Sequence, residues 1–93
     1  MIWKFPCIST GPMEIDVPDP GFIRHVGRDP ATGLMAFWAE VNPGPLKTRV
    51  FQIVATGQQI ASSGMYRGTA ILETQVFHLF ELDPADHPRL AVR

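Results

Sequence analysis

Arg49, Thr56, Gly57, Tyr66 and Arg67 are the residues of this sequence whose types and spacing come nearest to a chemistry. A glycine turn exposes backbone N–H groups, and a guanidinium grips phosphate through two parallel hydrogen bonds. Arg49 with Thr56-Gly57 therefore fits an anion or nucleotide site. Tyr66 adds a ring on which a base can stack, and Arg67 adds a second cation. A plainer reading stands beside this one: a glycine after a strand makes a turn, and an arginine on a strand is solvated. Alternation also sends Tyr66 and Arg67 to opposite faces, so one of the two joins Arg49 unless a bulge intervenes.

The other reactive side chains lack the spacing that chemistry requires. His25, His78, His87 and Cys7 are the soft ligands, with no CxxC, HxH or HExxH arrangement among them, and a zinc site needs three or four such groups converging. Cys7, between Pro6 and Ile8, reads as a small core residue; a nucleophilic thiol needs a contacting histidine and a lowered pKa. Ser62-Ser63-Gly64 precedes a strand pattern and lacks the strand-to-helix elbow of serine hydrolases. Two carboxylate groups remain, Glu14, Asp16 and Asp19 near the start and Glu81, Asp83 and Asp86 near the end. Both lie beside loops, which makes them a solvated rim and a deterrent to edge-to-edge aggregation.

The elements that must position these residues are strands. Period-two alternation runs through Leu34 to Val41, Thr48 to Ala55, Met65 to Leu72 and Gln75 to Leu82, each closed by turn chemistry. Ile2 to Ile8 aligns Trp3, Phe5 and Cys7, and Pro6 marks it as an edge strand. Met13 to Val17 and Phe22 to Gly27 are shorter strands around the turn Pro18-Asp19-Pro20-Gly21. Residues 28–33 form a hairpin loop with Gly33 at positive φ, so the strands either side pair antiparallel. Thr56 to Gly64 is a nine-residue loop, a length more often functional than structural. Residues 83–93, with two prolines and several charges, read as a tail on a β domain of residues 1–82; Ala85 to Val92 is also compatible with helix.

The expected fold is all-β, a small antiparallel β-sandwich or partly open barrel of six to seven short strands. Adjacent Phe37 and Trp38 face opposite sides of one strand, so both faces want burial, which a second layer or a partner subunit must supply. A homo-oligomer, with a dimer favoured, is the expectation.

Composition narrows the function classes. Ninety-three residues suit one core, since a chain this short buries roughly 60 to 70% of its unfolded surface. Eight basic against nine acidic residues give a net charge of −1, with no general field for nucleic acid. One cysteine excludes an internal disulfide and fits a reducing cytoplasm. No stretch has the length of a membrane span or the layout of a signal peptide. No motif calls for a cofactor or a metal, and no set of catalytic groups converges, so an enzyme is not expected.

Ile2-Trp3-Lys4-Phe5-Pro6, His25-Val26-Gly27, Phe37-Trp38-Ala39, Arg49-Val50-Phe51-Gln52-Ile53, Ala55-Thr56-Gly57 and Val76-Phe77-His78-Leu79-Phe80-Glu81, taken in order, resemble a family of short, uncharacterised phage and prophage proteins. Ala55 stands where that pattern has the first glycine of a Gly-Thr-Gly turn, and Gln58-Gln59 where it has His-Pro, which weakens a ligand role for the loop. The resemblance implies a small phage accessory protein in the host cytoplasm that modulates host machinery. Two non-enzymatic functions follow as expectations. One is sequestration of an anionic nucleotide signal of host defence by Arg49, Thr56, Gly57, Tyr66 and Arg67. The other is a protein-interaction module that binds or inhibits a host protein through exposed strand edges and aromatics.

Overall fold

The computed structural model describes residues 1–87. It is all-β, with seven strands in two antiparallel sheets packed face to face and not closed into a barrel. The strands are β1 (Ile2–Pro6), β2 (Met13–Pro18), β3 (Gly21–Arg28), β4 (Met35–Val41), β5 (Leu46–Ala55), β6 (Gly64–Leu72) and β7 (Gln75–Leu82). Strands β1-β4-β3 form the three-stranded sheet, and β2-β5-β7-β6 the four-stranded one. A single 3-10 turn, Pro84–Asp86, follows β7. The helix compatible with 85–92 lies largely outside the described residues.

Alternation decides what fills the space between the sheets. Phe5 on β1 stacks on Phe37 of β4 at 5.0 Å between ring centroids, and Phe37 meets Phe51 of β5 at 4.9 Å. This line of rings crosses from one sheet to the other, and aromatic pairs at such spacing contribute about 0.5 to 1.5 kcal/mol beyond the area they bury. Val17, Val26, Met35, Val41, Ile53 and Leu79 complete the core around it. Cys7 is buried, as the sequence suggests, and burial pushes its thiol up to about 12. In the 28–35 hairpin Gly33 takes φ +75° as expected, and the Asp29 carboxylate accepts from Ala31 N–H at 3.0 Å and pairs with Lys4 Nζ at 2.9 Å. The loop is thereby fastened to β1.

Strict alternation fails at two places. Strand β3 bulges at Arg24, between Ile23 and His25, and β6 bulges at Arg67, between Tyr66 and Gly68. A bulge inserts one unpaired residue and changes the phase of the side chains beyond it. In β6 it turns both Arg67 and Gly68 toward the inside. Gly68 is required there, because a Cβ at that position would lie 2.6 Å from Cγ2 and 2.7 Å from Cβ of Val26 on β3. The β-branched side chain of Val26 occupies the space a side chain at Gly68 would need.

The two outer faces differ. On the four-stranded sheet Val50, Gln52, Val54 and Leu82 point away from the core yet are buried. The 56–63 loop folds back over them, with Ala61 N–H donating to Gln52 Oε1 at 2.8 Å and the Ser62 hydroxyl 3.0 Å from His87 Nε2. No strand or turn of the described residues packs in that way over the three-stranded sheet. Gly68→Ala is expected to lower unfolding free energy by about 1 to 3 kcal/mol, the usual cost of overpacking, read from urea denaturation monitored by tryptophan fluorescence; an unchanged midpoint would show that β3 and β6 can part at no cost.

Candidate functional site

Glu81 lies on the inward face of β7, in line with Phe77 and Leu79, and is paired in register with Phe51 of β5. A carboxylate between two sheets must find countercharge. Arg49 reaches it from β5 as a two-pronged partner, Nε to Oε2 and Nη2 to Oε1, both at 2.7 Å. Arg67, brought inward by the β6 bulge, donates from Nε to Oε1 at 2.9 Å, with Nη2 at 2.8 Å from the same oxygen. Arg49 also donates from Nη1 to the Gly21 carbonyl of β3 at 2.9 Å and lies 5.5 Å over the Phe51 ring. The cluster links β3, β5, β6 and β7 at one end of the sandwich.

Burial works to raise the Glu81 pKa, but the hydrogen bonds and charge of Arg49, and then of Arg67, outweigh it and hold the carboxyl below its ordinary range. Glu81 is therefore ionised at neutral pH and engages the Nε and Nη2 edge of each of the two arginines. The cluster forms one wall of an open cleft of about 480 Å³, where Ser63, Met65, Leu82 and Asp83 join Arg67 and Glu81.

Of the five residues the sequence singles out, the structure brings together Arg49 and Arg67. Thr56 and Gly57 lie at the other end of β5, seven residues or roughly 23 Å of extended strand from Arg49. Tyr66 points to the outer face of the four-stranded sheet, edge-on to Phe80 at 5.8 Å. There it joins a chain of hydroxyls around His78. Tyr66 Oη is 2.5 Å from Thr69 Oγ1, which is 2.9 Å from His78 Nδ1, and His78 Nε2 is 3.0 Å from Thr56 Oγ1. Gly57 takes φ +92° in the turn beyond Thr56. A nucleotide with its base on Tyr66 and its phosphate on Arg49 and Gly57 has no common space to occupy. Among the described residues no group of three or more His, Cys, Asp or Glu is placed to hold a metal ion.

A second candidate surface emerges from the register of the three-stranded sheet. On its outer face Ile2, Glu40 and Phe22 form one row and Lys4, Trp38 and His25 the next. The His25 ring packs on Trp38 at 5.4 Å between centroids and lies over Gly27. Arg24 sits 5.4 Å over the Phe22 ring and pairs with Glu40 at 3.0 Å. Ile2 and Phe22 are more than half exposed.

Residues 1–89 match the family described as Domain of unknown function (DUF7352). The chain belongs to that family. No curated protein and no solved structure matches it. For this DUF7352 chain the function must be argued from its own side chains.

Glu81 is the residue that sequence reasoning missed, placing it with Asp83 and Asp86 on a solvated rim. Its signal was present: two-residue spacing from Phe77 and Leu79 puts it on the core face. Glu81→Gln leaves the mostly buried Arg49 without countercharge, and a loss of about 3 kcal/mol is expected. Arg67→Ala leaves Arg49 on Glu81 and should cost about 1 kcal/mol or less. Because the folded Glu81 pKa is lowered, its stabilisation is present above the unfolded carboxylate value of about 4.3 and lost as pH falls through the lower folded value. Urea midpoints measured from pH 7 to pH 2 should therefore drop less steeply in Glu81→Gln than in the parent; equal slopes would show that the two arginines do not lower the Glu81 pKa on folding.

Proposed function

We propose that this DUF7352 protein is a non-enzymatic binding protein whose contact surface is the outer face of the β1-β4-β3 sheet. The observation that carries this is the contrast between the two sheets. The chain's own loop covers the middle of one outer face, over Val50, Gln52, Val54 and Leu82, while the other face has no such cover and leaves Ile2 and Phe22 exposed beside Trp38 and His25. Aromatic side chains with apolar bodies and polar edges are the groups that anchor protein interfaces. The Arg24–Glu40 pair lies within the patch, with Glu40 between Ile2 and Phe22 on the central strand, and the Lys4–Asp29 pair lies on its β1 side. A second copy of the chain is the favoured first occupant, since a dimer through this face gives Trp38 the cover that its neighbour Phe37 has inside. The resemblance to phage and prophage proteins supports a small cytoplasmic accessory role in which the same face engages a host protein.

A second reading keeps the anionic ligand. Arg67 is partly exposed where the 480 Å³ cleft opens, and a nucleotide phosphate is the ligand a guanidinium there would take. Glu81 competes for it, which places this reading second.

Sedimentation velocity over a concentration series, with parallel capture from host extract, separates the two. Phe22→Ser combined with Ile2→Ser should abolish both the dimer and specific capture, whereas Ile71→Ser, an equally exposed change on the other sheet, should preserve both. Identical behaviour of all three proteins would exclude the sheet face. Thermal melting with cyclic dinucleotides and mononucleotides tests the cleft: at a hundredfold excess over Kd a binder adds about 2.7 kcal/mol, and Arg67→Ala should remove the shift.

A further inference from the structure

At the end of the sandwich opposite Glu81 the core does not close. A pocket of about 170 Å³ opens between the sheets where β1 ends and β4 begins. Cys7, Met35, Ile53, Leu72 and Phe77 line it, and Ile8 and Leu34 stand at its rim. Both rim residues are largely exposed, Ile8 at 82% and Leu34 at 54%. Two aliphatic side chains standing in water around an apolar hole lose the burial that each would gain from an occupant, about 1.5 to 3 kcal/mol per side chain when complete. The burial-raised thiol of Cys7 leaves the hole without charge.

A second cleft, of about 530 Å³, lies beside it and shares Thr10 and Phe77 with it. Its polar lining is of a different kind: Thr10, Thr56, Gln58, Thr74 and Gln75 supply hydroxyls and carboxamides, and no charged residue takes part. Thr56 is already fixed by His78, and Gln58 Oε1 accepts from Ala55 N–H at 3.0 Å, so that wall is held in place. The loop that sequence reasoning assigned to a phosphate thus borders a surface with no cation.

We infer that these two spaces form one binding site for an uncharged small molecule, with an apolar group the size of one ring in the hole and a hydroxyl- or amide-bearing body along the cleft. Size supports the division. A dry apolar cavity of about 150 Å³ accommodates benzene, while the adjoining cleft has the volume range of small-molecule sites, roughly 300 to 1,000 Å³. Lining chemistry supports the charge assignment, because an ionised ligand would meet neither countercharge nor full hydration. The site is separate from the sheet face and from the Arg67 cleft, and stands or falls independently of both.

The test uses N-acetylphenylalaninamide as the neutral two-part probe, its carboxylate analogue N-acetylphenylalanine, and benzene as the ring alone. Binding is read from methyl NMR shifts of Met35, Ile53 and Leu72. Saturable shifts with the amide are expected, with the carboxylate and benzene each weaker by roughly tenfold, the equivalent of about 1.4 kcal/mol. Leu72→Trp, which fills the mouth from a half-buried strand end, should abolish binding while leaving the fold's NMR spectrum otherwise intact. Gln75→Ala should weaken the amide and leave benzene unchanged. No saturable shift with the amide, or equal affinity for amide and carboxylate, would overturn the inference. So would tighter binding of the blocked peptide Ala-Ala-Phe-Ala-Ala than of the single blocked residue, since the occupant would then be a peptide.

Discussion

The carboxylate of Glu81 is the constraint around which one end of this fold is organised. An ionised group on the core face of β7 requires cations from neighbouring strands, and each guanidinium that answers it fixes a piece of geometry. Arg49 reaches across from β5 and, by donating to the Gly21 carbonyl, also ties in the start of β3 on the opposite sheet. Arg67 can reach only because β6 bulges at that residue. The same extra residue turns Gly68 inward, where the absence of a side chain lets Val26 come close. Ion cluster, bulge and sheet-to-sheet contact are thus three consequences of one placement.

Away from Glu81 the sandwich is held by apolar contact. The Phe5, Phe37 and Phe51 rings span it from the β1 edge to β5, and packing of this kind involves no titrating group and no charge for salt to screen. The chain therefore has one end whose integrity depends on ionisation and another that depends on side-chain shape. At the second end shape is incomplete, since Ile8 and Leu34 stand exposed above a small apolar hole.

Much of the architecture was legible because alternation and turn chemistry agree. The spacing of Met13, Ile15 and Val17 aligns them on one face of β2, and Asp29-Pro30 with Gly33 places the β3–β4 hairpin. What alternation cannot show is where it is interrupted. Gly68 inside the strand pattern is the local hint of a bulge, but what the bulge presents depends on a partner strand and on a carboxylate fourteen positions along the chain. Alternation predicts that one of Tyr66 and Arg67 joins Arg49, and both only with a bulge; the bulge is there, yet Arg67 alone joins while Tyr66 stays on the outer face. Thr56 and Gly57 failed to join Arg49 for a simpler reason: they lie at opposite ends of one long strand, and a ten-residue β5 cannot fold back on itself. Adjacent Phe37 and Trp38 do face opposite sides of β4: Phe37 is buried between the sheets, and Trp38 is half-buried on the outer face against His25.

The distribution of charge bears on every functional reading of the molecule. Lys4, Arg24, Arg49 and Arg67 each have a carboxylate oxygen within 3.0 Å. Arg67 shares its carboxylate with Arg49, so the Glu81 cluster keeps one positive charge in excess, and Asp83 in the same cleft offsets part of it. A highly anionic partner would have to compete with Glu81 for guanidinium donors that are already well oriented, and would disrupt the cluster that joins four strands. Recognition through uncharged surface carries no such conflict. Ile2 and Phe22 on the three-stranded sheet, and Ile8 and Leu34 at the far end, stand exposed outside the core, so contacts made through them do not compete with the packing that closes the fold.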